Sequence, residues 1–289
     1  MAIKSYKGFD KNLRCRGFQY KIGGIYEMDG KIKMCNRGFH ACESPFDVFD
    51  YYTMIDSRFC EVEQDGNISK WDRGTKICSS KIKIKAELKL ADMINLGVEW
   101  LKEITSPEKI KTSIKDNSSG NNAQIGSSGD GAKIGSSGYG AQIGSSGNNA
   151  QIGSSGNNAK IGSSGNNAKI GSSGDGAKIG SSGYDAQIGS SGDGAQIGSS
   201  GYGAKISSSG YGAKIDSTGE DCVIMCAGIN SVAKASKGSW VTLSEWSYSE
   251  EKQRYIPICV KTEFVDGEKI KADTYYSLKG GVFVEWIND

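Results

Sequence analysis

The most regular feature of the chain is the spacing of its apolar residues between Asn121 and Gly219. Eleven uninterrupted units follow one another there, with the general form x-x-Ala-[Gln/Lys]-Ile-Gly-Ser-Ser-Gly. Alanine holds position three from Ala123 to Ala213, isoleucine position five from Ile125 to Ile215, and serine position seven from Ser127 to Ser217. These positions are two residues apart, so on an extended chain their side chains share one face. The residue between Ala and Ile is always Gln or Lys, from Gln124 to Lys214, and points the other way. Ser-Gly then leads into Asn-Asn, Asp-Gly, Tyr-Gly or Tyr-Asp. Gly and Asn accept the positive φ of a tight turn. Each unit therefore predicts a five-residue strand followed by a four-residue turn.

A single strand of this kind cannot bury its isoleucine, but stacked copies can, with each backbone pairing to the coils above and below. Two units per coil make a flattened β-solenoid, and eleven units then give a rod roughly 26 Å long at ~4.8 Å per coil. Three units per coil make a triangular section instead. The small Ala and Ser suit a thin core and favour two sides. A flexible Gly/Ser linker has no use for a fixed apolar register. A calcium-binding roll needs aspartates in every unit, whereas Asp130, Asp175 and Asp193 occupy the turns of only some. The stretches KTSIKDNSSG (111–120), EDCVIMCAG (220–228) and INSVAKASK (229–237) read as degenerate units that cap the stack.

Outside the repeats the pattern changes. KIKIKAELKL (81–90) alternates, with Ile82, Ile84, Ala86, Leu88 and Leu90 on one side and charged residues on the other, which predicts a half-buried strand. SRFCEVEQ (57–64) predicts a short strand ending in a turn at Asp65-Gly66. In ADMINLGVEWLKEIT (91–105), Ile94, Val98, Leu101 and Ile104 recur at helical spacing, with Pro107 just beyond. This helix is placed to cover the open end of the stack. At the other end, 254–265, 274–278 and 282–286 read as an antiparallel β-meander. Asp266-Gly267 and Gly280-Gly281 supply its turns, and Tyr275, Tyr276, Phe283 and Trp286 its core. The fold class is mainly β: a central parallel β-solenoid between a small α+β N-terminal domain and a C-terminal antiparallel β module. The predicted boundaries are 1–111, 112–228 and 229–289.

Composition narrows the function. Lys and Arg number 35 against 33 Asp and Glu, a net charge of +2, which argues against a nucleic-acid binder. No apolar run is long enough to span a membrane, and MAIKSYKGFDKNL lacks the apolar stretch of a secretory leader. A cytoplasmic setting with eight reduced cysteines follows. His40 is the only histidine, and Cys15, Cys35 and Cys42 lie near it in sequence, but without a CxxC pair the reading is no metal and no cofactor. The outward residues Gln124, Lys133, Gln142, Gln151, Lys160, Lys169 and Lys178, with the turn residues Tyr139, Tyr184, Tyr202 and Tyr211, are the candidate binding surface. Lysines there also discourage edge-to-edge aggregation.

The stretch GFDKNLRCRGFQY, with GFHAC and the Tyr51-Tyr52 pair after it, resembles an uncharacterised family common in phages and prophages. GSWVTLSEW (238–246) and VDGEKIKADTYYSLKGGVFVEW (265–286) look like the closing module of that family, whose members commonly carry a nonapeptide tract between the two. The resemblance implies a source and no activity. GFHACESPFDVFDYY followed by SRFCEVE also looks like the core of ADP-ribosyltransferase-type folds. That likeness implies a nicotinamide pocket lined by Arg16, His40 and Glu61 or Glu63, although Ala41-Cys42 replaces the usual Ser/Thr-rich strand. The expectation is a non-enzymatic protein that engages a host macromolecule or ligand through the solenoid. An ADP-ribosyltransferase-like enzyme and a structural virion component are the alternatives. Solenoids associate laterally or end to end, which leaves a homo-oligomer open.

Overall fold

The computed structural model describes residues 2–71, 74–105 and 120–287. The predicted unit at 111–120, apart from Gly120, and Pro107 lie outside the described residues. The chain divides into two compact units, Met1–Trp100 and Leu101–Asp289.

The first unit is a sheet of β1 (Ile3–Phe9), β2 (Ile25–Glu27), β3 (Phe39–Cys42), β4 (Arg58–Lys70) and β5 (Lys76–Leu88), in the order β2-β5-β3-β1-β4. Strand β5 also pairs with β4, so the sheet curls back on itself. Strands β1 and β3 meet only at Tyr6 and Cys42 and then diverge, which leaves an opening beside Lys7 and His40. The buried Gln64 ties the curl together. Its Nε2 donates to the Phe39 carbonyl (2.9 Å) and to Ser79 Oγ (3.2 Å), and its Oε1 accepts from Ser5 Oγ (2.9 Å). Around it pack Phe9, Phe39, Val62, Ile82 and Ile84.

The turn predicted at Asp65-Gly66 is instead a bulge inside β4, where pairing shifts between Asp65 and Ile68. Gly66 has φ of 76°, and a Cβ there would run into Ser80 Oγ. The local bend is real, but the partner strand continues past it, so the chain reverses only after Lys70. The alternation in 81–90 holds for Ile82 and Ile84, both fully buried, while Ala86 is exposed and Leu90 opens the helix α1 (Leu90–Ile104). Ile94, Val98 and Leu101 form its buried stripe.

In the second unit the repeats form a two-sided β-solenoid of about 7 turns over residues 124–243. Successive strands alternate between two parallel sheets, so each strand pairs with the one 18 residues away: Ile143 with Ile161, Ile152 with Ile170. The stack exceeds the eleven regular units because Val223–Cys226 and Val232–Ala235 take their places as further strands, and Trp240–Leu243 adds another. The two degenerate units at 220–237 thus make up one further full coil.

The core is a column of Ala, Ile and Ser. From Ala141 to Ala213 the alanines are fully buried, and from Ile143 to Ile215 the isoleucines are at most 4% exposed. Position two of each turn is left-handed, as at Asn149 (φ 57°), Asp185 (φ 54°) and Gly176 (φ 65°). At position nine a Cβ on Gly156, Gly165 or Gly174 would strike the carbonyl of the glycine one coil below. At position one an Asn or Asp carboxamide or carboxylate oxygen accepts the N–H of the residue one coil above, as from Asn166 to Asn148 (2.9 Å) and from Asp193 to Asp175 (2.9 Å). The turn aspartates are therefore links in this ladder.

The C-terminal strands are antiparallel, but they do not form one meander. Arg254–Phe264 pairs with Trp240–Ser249 and extends one face, whereas Tyr276–Lys279 pairs with Val232–Ala235 and, with Val282–Glu285, extends the other. Stacking on two separate faces buries more than a three-stranded ribbon alone. Tyr276 enters the solenoid core, Phe283 packs against it, and Tyr275 and Trp286 flank the Lys214 ammonium at 4.4 and 4.3 Å.

Candidate functional site

A two-sided coil sorts the expected binding residues onto opposite surfaces. Gln124, Gln142, Lys160 and Lys178 point outward from the nine-stranded face; Lys133, Gln151 and Lys169 point outward from the eight-stranded one. They are two columns rather than one. The turn tyrosines divide as well: Tyr184 and Tyr202 stand one coil apart in an edge-to-face pair at 6.5 Å, and Tyr139 and Tyr211 lie on the other edge. All four are at least half exposed. On the nine-stranded face Gln142 and Lys160 are only 7% and 6% exposed, so they are not open to a partner.

The eight-stranded face is open. A trough of about 930 Å³ runs along it from Lys133 to Met225. Its outward side chains are Lys133, Gln151, Lys169, Gln187 and Lys205, each separated from the next by one coil. Beside this column, two residues further along each strand, lie Gly135, Gly153, Gly171 and Gly189. Space does not require glycine at the first three, since a Cβ would meet nothing within 4 Å, and at Gly189 it would meet only Ser207 Oγ at 3.7 Å. No outward strand position in the trough carries a carboxylate. Lys205 pairs with Asp185 at 3.7 Å, whereas Lys133 and Lys169 have no carboxylate partner among the described residues.

The first unit holds a deeper pocket of about 840 Å³ at the opening between β1 and β3. Its floor is Lys7, whose Nζ donates to the His40 carbonyl (2.9 Å) and lies 3.6 Å from Cys15 Sγ. That carbonyl would face β1 if the two strands stayed paired. Burial pushes the Lys7 ammonium below its ordinary value, while nearby Cys15 pulls the other way. Tyr52 Oη donates to Cys15 Sγ at 2.9 Å, and burial, then this bond, holds the phenol proton on.

Arg16 and His40 both line this pocket, so two of the residues implied by the transferase likeness come together. Glu63 and Glu61 do not join them: Glu63 is ion-paired with Lys85 (2.9 Å) and Glu61 with Lys4 (2.9 Å), outside the lining. His40 is held on both sides. Its Nε2 accepts the Cys35 N–H at 3.0 Å, and a hydrogen bond with the Gly38 backbone favours its charged form. Burial first, then the charges of Lys76, Lys7 and Arg16, lower its pKa to about 4, so the ring is neutral at pH 7.

Sequence reasoning missed Lys7, Tyr52 and Lys76, because nothing local marks them as converging. None of the eight cysteines is joined to another in a disulfide. Among the described residues no cluster of three or more His, Cys, Asp or Glu is placed to hold a metal ion, and no helix is long and apolar enough to cross a membrane.

Residues 3–96 match the model of a domain of unknown function (DUF7666). No curated protein and no solved structure matches the chain.

Proposed function

We propose that this is a non-enzymatic binding protein whose solenoid offers its eight-stranded face to a macromolecular partner. One observation carries the reading: glycine persists at four successive outward strand positions where a side chain has room. Glycine inside a strand weakens it by roughly 0.5–1 kcal/mol relative to alanine. Keeping it there makes sense where another molecule must approach the backbone closely. The flanking column specifies that molecule's chemistry. Lys133 and Lys169 are two coils apart, about 10 Å, and the Gln151 amide lies between them. An extended, acidic or hydroxyl-rich segment lying along the trough satisfies both.

The phage-family resemblance of the end segments supports a host macromolecule in the cytoplasm as the partner, with interference in a host defence as the role. The enzymatic alternative has less support, because Glu63 lies away from Arg16 and His40.

The test exploits the free space at the glycines. Gly153→Glu combined with Gly171→Glu adds bulk, and negative charge that repels an acidic partner, at two positions where a Cβ meets nothing within 4 Å. A partner captured from host cells by the wild-type chain is expected to be lost by this variant while circular dichroism stays unchanged. A partner retained in full by the folded variant would rule out this face.

A further inference from the structure

The first unit has a pocket that the reading of the solenoid face does not use. Its lining divides by chemistry. One wall is aromatic: Phe18 stands edge-on to Tyr20 (4.9 Å) and Tyr26 (5.5 Å), and these two meet at 5.0 Å. Phe18 is 50% exposed, so one side of its ring is open to solvent. Such a ring offers a planar apolar surface beside two polar-tipped ones.

The lining also carries cations. Lys76 lies over the Tyr51 ring at 3.9 Å, and Arg16 sits at a left-handed backbone position, φ 49°, on the turn between Cys15 and Phe18. Among the described residues neither has a carboxylate at ion-pair distance. The one acidic residue in the lining, Glu27, is already paired with Lys81 at 3.2 Å. Cations gathered in a partly desolvated cleft without counter-charge repel one another, and an incoming anion relieves that repulsion. The pKa of His40, depressed first by burial, is lowered further by the charges of Lys76, Lys7 and Arg16. At about 840 Å³ the space suits a whole small molecule.

We propose that this pocket binds a planar aromatic ring carrying an anionic group, with nucleoside phosphates as the biological class. The ring lies on the Phe18 platform and the anion faces Arg16 and Lys76. Both halves of the ligand are required. A free phosphate leaves the aromatic wall unused, and a nucleoside leaves the cations unpaired.

Isothermal titration of the full chain with the diphosphates of adenosine, guanosine, cytidine and uridine tests this, with adenosine alone and pyrophosphate alone as separate arms. At least one nucleoside diphosphate is expected to bind at least tenfold more tightly than either fragment. Phe18→Ala is expected to weaken it by about tenfold or more, the range of base–aromatic stacking. Arg16→Gln is expected to weaken it by a similar factor and to flatten its salt dependence. Both side chains are exposed, so the fold tolerates their loss, and circular dichroism checks that. The proposal is overturned if none of the four binds at millimolar concentration, if pyrophosphate alone binds as tightly, or if both folded variants keep wild-type affinity.

Discussion

Ile161 lies in register with Ile143, one coil apart in the same parallel sheet, and both are essentially excluded from water. Every interior coil repeats this contact, so the stability of the second unit is close to a sum of nearest-neighbour terms. Ile179→Ala, at a fully buried position, is expected to cost about 2–5 kcal/mol. Ile134→Ala, near the first coil and only partly buried, is expected to cost less. Denaturant melts of the two variants check the ranking, and equal losses would contradict a column of stacked isoleucines.

Two glycines in one unit type answer to different forces. Gly165→Ala places a Cβ against the Gly147 carbonyl and is expected to destabilise by about 1–3 kcal/mol or more. Gly153→Ala points into open space and is expected to be neutral or to stabilise by up to ~1 kcal/mol. Thermal unfolding distinguishes them. A large loss at Gly153 would mean that its conformation, rather than its flatness, is what the fold requires.

The serine column behaves unlike the isoleucine column. Ser145, Ser163, Ser181, Ser199 and Ser217 bury hydroxyls that have no hydrogen-bond partner among the described residues. Removing an unsatisfied buried hydroxyl relieves a desolvation penalty, offset by a small lost volume. Ser181→Ala is therefore expected to change stability by less than ~1 kcal/mol, far below the loss at Ile179. A loss above ~2 kcal/mol in equilibrium unfolding would show that the hydroxyls are bonded after all.

His40 makes the first unit sensitive to acid. Its folded pKa, about 4, is below the ordinary 6.5, chiefly through burial. The unfolded chain takes up the proton first as pH falls, so the contribution is complete above pH 6.5 and is lost progressively down to about 4. The ring is only half buried, which discounts the shift to roughly 1–2 kcal/mol. Melts of wild type and His40→Asn between pH 7.5 and 4 are expected to differ in slope within that window. Parallel curves would show that other groups carry the acid response.

Much of the second unit was legible in the chain. The Ala-Ile-Ser register is local, repeated and incompatible with any face but an interior one. That the four-residue turn holds a residue of positive φ was equally clear, because Asn and Gly tolerate that geometry cheaply, but only the backbone places it at position two. The first unit was legible only in pieces. Asp65-Gly66 looks like a hairpin turn, yet the same φ serves a bulge when the partner strand runs on past it. Residues 254–286 look like a meander because adjacent strands usually pair. Nothing local says that two open faces of a solenoid offer each strand a better partner.

The sequence by itself determined that nonapeptides stack, which residues turn inward and where the chain bends, since each follows from two-residue alternation and backbone sterics within one unit. Tertiary structure alone decided which outward residues remain exposed: Gln142 and Lys160 are buried while Gln151 and Lys169 are open, although their local sequences are nearly identical. It alone brought Lys7, Arg16, His40 and Lys76 around one pocket and left Glu63 outside it. Exposure and convergence depend on which distant strands pair. That is a property of long-range hydrogen bonding and packing, and no nine-residue window contains it.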